Sequence, residues 1–141
     1  MRGFIDLKVS DAMTHPVTTV SPAATVAELE ALFERYDYNS LPVVQEERLV
    51  GIVTKFDFLR NFIFTPASVL PHYDTLMQRP ISTIMQRDVV TVTADVPLTR
   101  VLQMMIDMRS KSFPVMSSGR LVGIISREDV IHALRRAAGR S

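Results

Sequence analysis

Cysteine and tryptophan are both absent from these 141 residues. Without cysteine there can be no disulfide and no thiolate metal site, which fits a reducing cytosol. The three histidines, His15, His72 and His132, are scattered and show no ligand spacing, so no metal site is expected. Neither a Gly-rich phosphate loop nor a dinucleotide fingerprint occurs among the five glycines, and no Ser/His/Asp grouping appears. Charge of one sign is also lacking: 16 basic against 15 acidic residues leave a net +1, without the basic stripe of a nucleic-acid binder. The cluster Arg135, Arg136 and Arg140 reads as cations near a helix C-terminus. No apolar run reaches the length of a membrane span, because Arg60 and Asn61 interrupt the best candidate, Phe56 to Leu70. The first residues lack the apolar core of a signal peptide, so the expected location is the cytoplasm.

What the chain does contain is a repeat. Gly51-Ile52-Val53-Thr54-Lys55-Phe56-Asp57 returns 72 residues later as Gly123-Ile124-Ile125-Ser126-Arg127-Glu128-Asp129. Leu41-Pro42-Val43 returns in step as Phe113-Pro114-Val115, and over residues 10–57 against 82–129, 14 of 48 positions are identical. Internal duplication explains this. At 47% hydrophobic residues the chain can bury one core or two half-sized modules, and each copy alone would be marginal. The expected division is a first repeat with its N-terminal segment at 1–62, a connection at 63–80, and a second repeat with a C-terminal helix at 81–141.

Each copy predicts the order strand, helix, strand, strand, helix. In the first, Val17–Val20 is a β-branched run. Thr25 to Glu28 has the form of a capping box, and the helix beyond it places Val26, Leu29, Leu32, Phe33 and Tyr36 on one face. Strands are predicted at 41–44 and 49–53, joined by Gln45-Glu46-Glu47-Arg48, with a helix from 57 to 62. The second copy predicts strands at 89–93, 113–116 and 121–125, and helices at 97–108 and 126–138. Pro97 suits the first turn of its helix, and Met104, Met105 and Met108 lie on or beside its apolar face as gap-filling core. The connection carries Pro66, Pro71 and Pro80 with Phe62, Phe64 and Tyr73, and is expected to contain helical turns that pack on their own subunit.

The chemistry is concentrated where each copy runs glycine, two aliphatics, a hydroxyl residue and, three positions on, a carboxylate. Ser/Thr-x-x-Asp is itself a helix cap, so Thr54 with Asp57, and Ser126 with Asp129, could serve only to satisfy amides. Two features add a second reading. Gly51 and Gly123 lie inside strands, where glycine is unfavourable unless a turn, a bulge or the close approach of a ligand requires it. Lys55 and Arg127 place a cation beside a helix start, which already attracts anions. Hydroxyl, cation, helix start and carboxylate together suit a ribose phosphate, the phosphate facing Thr54/Lys55 or Ser126/Arg127 and the sugar hydroxyls donating to Asp57 or Asp129.

Both Gly-h-h-Ser/Thr-x-x-Asp segments and their duplicated setting resemble a pair of CBS domains, or Bateman module, over about Val9 to Leu134. The resemblance implies an α+β fold of tandem βαββα repeats packed sheet to sheet with pseudo-twofold symmetry, and clefts between the repeats that hold adenine nucleotides such as AMP, ADP or ATP. Carried over by position, one site combines Asp129, Ser126 and Ile124 with Lys111 and Ser112, plus Thr18, Tyr38 and Asn39. The other combines Asp57, Thr54 and Ile52 with Asn39 and Ser40, plus Val90 and Ser110. The site with Asp129 is favoured, for the aromatic face of Tyr38 and the charge of Lys111. The resemblance also implies a homodimer, and a regulatory module acting on a separate partner protein. A structural or dimerisation module whose Ser/Thr-x-x-Asp segments only cap helices is the alternative. Catalysis has no candidate residues, and no required cofactor is expected.

Overall fold

The computed structural model describes residues 3–62 and 73–139. Most of the expected connection, residues 63–72 with Phe64, Pro66, Pro71 and His72, lies outside them, as does Arg140. The chain forms an α+β fold with two small sheets, and divides into two compact units, Thr18–Val89 and Met1–Val17 with Val90–Ser141.

The unit Thr18–Val89 holds α2 (Val26–Arg35), β1 (Ser40–Gln45), β2 (Arg48–Thr54), α3 (Lys55–Arg60) and α4 (Tyr73–Met77); α1 (Val9–Ala12) belongs to the other unit. Thr25 caps α2, its hydroxyl accepting from the Glu28 amide at 3.2 Å. The apolar spacing then buries Val26 and Leu29 completely and sets Leu32 and Phe33 against the same core. Full burial of a side chain such as Leu29 contributes about 1.5–3 kcal/mol. Tyr36 departs from the expected stripe. It lies just past the helix in extended backbone, 40% exposed, with its ring centroid 5.3 Å from that of Tyr38. Helical periodicity no longer directs its side chain there. Of the strand expected at Val17–Val20, the described pairing is a single parallel bridge from Val20 to Val43.

The other unit comprises α1 (Val9–Ala12), β3 (Val92–Thr93), α5 (Leu98–Met108), β4 (Ser112–Ser117), β5 (Arg120–Ser126) and α6 (Arg127–Ala138). Val92 pairs in parallel with Val115, so the strand expected at 89–93 is two residues long. Leu98, Val101 and Met105 are buried at the helical spacing, while Pro97 stands at the N-cap of α5 and not inside it. Met108 is 46% exposed and is no part of the core: it is the last residue of α5, and the chain turns away at Arg109 in the left-handed region.

Both hairpins close through two residues with positive φ, as tight hairpin turns require. These are Glu46 (50°) and Glu47 (66°) in the first, Ser118 (51°) and Gly119 (78°) in the second. Only the second uses a glycine for this.

The compact units cross the repeat boundaries. Val9 of the first copy's leading segment is fully buried among Leu98, Phe113 and Ile125 of the second. Ile81 of the second copy's leading segment is fully buried among Val26, Leu41 and Val53 of the first. Backbone bridges follow the same exchange: Lys8 to Pro97 and Thr14 to Ile124 in one unit, Thr25 to Pro80 and Ile52 to Gln86 in the other. Packing divides the chain after Val17 and after Val89. Val9 and Ile81, equivalent positions of the repeat, each complete the core of the copy that does not follow them in sequence.

This exchange accounts for the strand glycines. A Cβ on Gly51 would lie 2.7 Å from the Gln86 carbonyl oxygen and 2.8 Å from Met85 Sδ. On Gly123 it would lie 2.8 Å from both the Thr14 carbonyl oxygen and Met13 Sδ. The strand opposite each glycine shifts register, between Val43 and Val44 and between Val115 and Met116. The close approach that requires glycine is made by the chain's own leading segments, not by a ligand.

Candidate functional site

At the end of β5, Ser112 pairs with Ser126, and the chain turns directly into α6. Ser126 is the N-cap: its Oγ accepts from the Asp129 amide at 3.2 Å, and Asp129 Oδ2 accepts from the Ser126 amide at 2.9 Å. The Arg127 amide donates to the Lys111 carbonyl at 3.0 Å and its Nε to the Ser110 carbonyl at 3.1 Å. Local capping and hairpin pairing thus bring Ser110, Lys111, Ser112, Ile124, Ser126, Arg127 and Asp129 into one cluster. Asp129 is half-buried, and Thr14, which the sequence reading did not single out, donates its hydroxyl to Asp129 Oδ1 at 3.0 Å and Oδ2 at 3.2 Å. Val90 and Ser110, expected to join Asp57, lie in the same unit as Asp129, and Val90 is 41% exposed just before β3.

The other unit builds the same cap. Ser40 pairs with Thr54, Thr54 Oγ1 accepts from the Asp57 amide at 3.1 Å, and Asp57 Oδ2 accepts from the Thr54 amide at 2.9 Å. The Lys55 amide donates to the Asn39 carbonyl at 3.1 Å, and Ile52 stands in β2 between Gly51 and Val53. Here the surroundings differ. Asp57 is 1% exposed, and it accepts from three further groups: Thr54 Oγ1 at 2.9 Å, Gln86 Nε2 at 3.0 Å to Oδ2 and 3.3 Å to Oδ1, and Arg60 at 3.2 Å. Thr18 and Tyr38 lie in this unit and join hydroxyl to hydroxyl at 2.9 Å. Lys55 Nζ stands 3.9 Å from Asp37, an exposed pair of little weight.

Gln86 and Arg60 were missed in the sequence, as was Thr14. The 72-residue spacing held the signal, since Thr14 and Gln86 occupy equivalent positions and Arg60 answers to His132. Among the described residues no group of three or more His, Asp or Glu is placed to hold a metal ion, and no helix is long and apolar enough to cross a membrane.

The family model of the CBS domain matches residues 9–63 and 81–136, both copies of the repeat. The chain belongs to the CBS-domain family. Among curated relatives, this CBS pair is 33% identical over 116 residues to inosine-5′-monophosphate dehydrogenase of Thermoplasma acidophilum, covering 82% of the chain and 21% of the enzyme. It spans between 13% and 21% of the length of the first curated relatives it matches. Among solved structures it resembles a Vibrio cholerae protein named for acetoin utilization (AcuB), at a TM-score of 0.82 and 25% identity, with 96% and 97% of the two chains covered. It likewise resembles the CBS domain pair of protein MJ0100, solved with 5′-methylthioadenosine and S-adenosyl-L-methionine, at a TM-score of 0.74 and 26% identity over 96% of this chain and 98% of that one.

Proposed function

We propose that this CBS pair is a regulatory module that binds an adenosine-containing ligand, AMP, ADP, ATP or an adenosyl thioether, and does not itself catalyse. The observation that carries the reading is the half-buried Asp129 carboxylate at the start of α6. It holds one amide and one hydroxyl, which leaves acceptor capacity for vicinal ribose hydroxyls, with exposed Lys111 and Arg127 nearby for a phosphate. The MJ0100 pair, bound to two adenosyl compounds, supports the ligand class.

Thermal shift with each of AMP, ADP, ATP, 5′-methylthioadenosine and S-adenosylmethionine tests this. A ligand at about 100 times its Kd raises stability by about 2.7 kcal/mol, several degrees in Tm for a domain of this size. Asp129→Ala removes the shift. A flat response to all five compounds overturns the reading.

A second reading has an observation of its own. Both Ser/Thr-x-x-Asp segments do form complete capping boxes, which is all that a ligand-free structural module needs. It predicts that Asp129→Ala lowers stability and alters no affinity. A homodimer and a separate regulated protein belong to the proposal as well. Ile106 and Ile131 in one unit, and Phe56 and Leu59 in the other, are each more than half exposed on helices, apolar side chains of the kind a second copy would cover. Sedimentation of the purified chain tests the dimer.

A further inference from the structure

The two copies carry the same motif, yet the carboxylates at its end are in different states of occupancy. A carboxylate offers about four acceptor positions. On Asp57 these meet four donor groups of its own unit: the Thr54 amide, the Thr54 hydroxyl, the Gln86 side-chain amide and the Arg60 guanidinium. The Thr54 hydroxyl is occupied in both directions, donating to Asp57 Oδ2 and accepting from the Asp57 amide. Gln86 cannot easily withdraw, because its backbone exchanges two hydrogen bonds with Ile52, at 2.8 and 2.9 Å. In the second copy the equivalent positions hold Thr14 and His132, a short hydroxyl and an imidazole in place of the amide and the guanidinium. The Asp129 carboxylate correspondingly keeps solvent exposure that Asp57 has lost.

We infer that Asp57 is a structural latch closed by Arg60 and Gln86, and that the chain takes one adenosine-containing ligand, through Asp129, and not two. The inference rests on the ligand reading above and adds its stoichiometry and the residues that set it. A ribose competing for Asp57 has to displace a guanidinium and an amide from a carboxylate without contact to water, where each lost bond is costly. At Asp129 it displaces one neutral hydroxyl.

The test is isothermal titration of the full chain with AMP and, separately, with 5′-methylthioadenosine. One ligand per chain is expected. Asp57→Ala leaves Kd within about twofold, while Asp129→Ala weakens it at least about tenfold, the loss of one charge-assisted contact. The exchange Arg60→His with Gln86→Thr gives the first copy the residues of the second, and a second binding event is expected. Two events in the unaltered chain, one of them lost in Asp57→Ala, overturn the latch while leaving the ligand reading intact. A folded exchange variant that still takes one ligand overturns the roles of Arg60 and Gln86. No event with either compound at millimolar concentration sinks both the inference and the reading it rests on.

Discussion

Asp57 and Asp129 stand at the same step of two nearly identical helix starts, and each accepts a hydrogen bond from the amide of its own N-cap at 2.9 Å. One is sealed under a guanidinium and an amide; the other meets a threonine hydroxyl and keeps part of its surface. A motif shared by two copies therefore specifies the local fold of both and the chemistry of neither. That is decided by whichever side chain the opposite leading segment lays across it.

The comparison can be tested first where the copies are alike. Gly51→Ala and Gly123→Ala each drive a methyl to within 2.8 Å of backbone oxygen and methionine sulfur, and each is expected to cost about 2–3 kcal/mol in urea unfolding. Similar losses at both positions would show that the exchanged segments clamp the two units equally; a large loss at one alone would break the symmetry. The carboxylates come next. Asp57→Ala is expected to cost about 2 kcal/mol, because it removes buried charge-assisted bonds, and Asp129→Ala about 1 kcal/mol, the ordinary value of a helix cap. Equal costs would contradict the latch.

The hairpins give a smaller difference. Glu47 sits at φ 66° where the second copy has Gly119, so Glu47→Gly relieves left-handed strain and is expected to raise stability by up to about 1 kcal/mol. An unchanged or lowered unfolding midpoint would count against that strain. The smallest effect concerns Thr93 and Asp95, which replace Ser21 and Ala23 of the first copy. The Thr93 hydroxyl donates to Asp95 at 2.7 Å and, with the backbone amide of Asp95 itself, holds that carboxyl below its ordinary value. A depressed carboxyl contributes stability above its unfolded pKa and loses it as pH falls through the folded one. Thr93→Val should move the Asp95 midpoint back up, as NMR titration would read, with slight effect on stability because the group is exposed.

Much of this was legible from residues alone. The helix from Thr25, both hairpins and both helix starts follow local rules of capping, turn chemistry and apolar spacing, and the structure places them within one or two residues of expectation. The expected first strands, Val17–Val20 and 89–93, shrink to a bridge and a two-residue strand, because β-branched composition cannot say whether a neighbouring strand is long enough to pair. Gly51 and Gly123 were legible as positions of close approach, but not what approaches. Tyr36 and Met108 were drawn into core stripes by spacing alone, and each lies where its helix is already ending.

The sequence by itself determined the duplication, the order of elements in each copy, and the pairing of hydroxyl with carboxylate at two helix starts, since all of these arise between residues a few positions apart. Tertiary structure decided which leading segment completes which core, and so that Gln86 meets Asp57 across 29 residues and Thr14 meets Asp129 across 115. Those contacts follow from burying Val9 and Ile81 in cores that other parts of the chain provide, and no local periodicity encodes that choice.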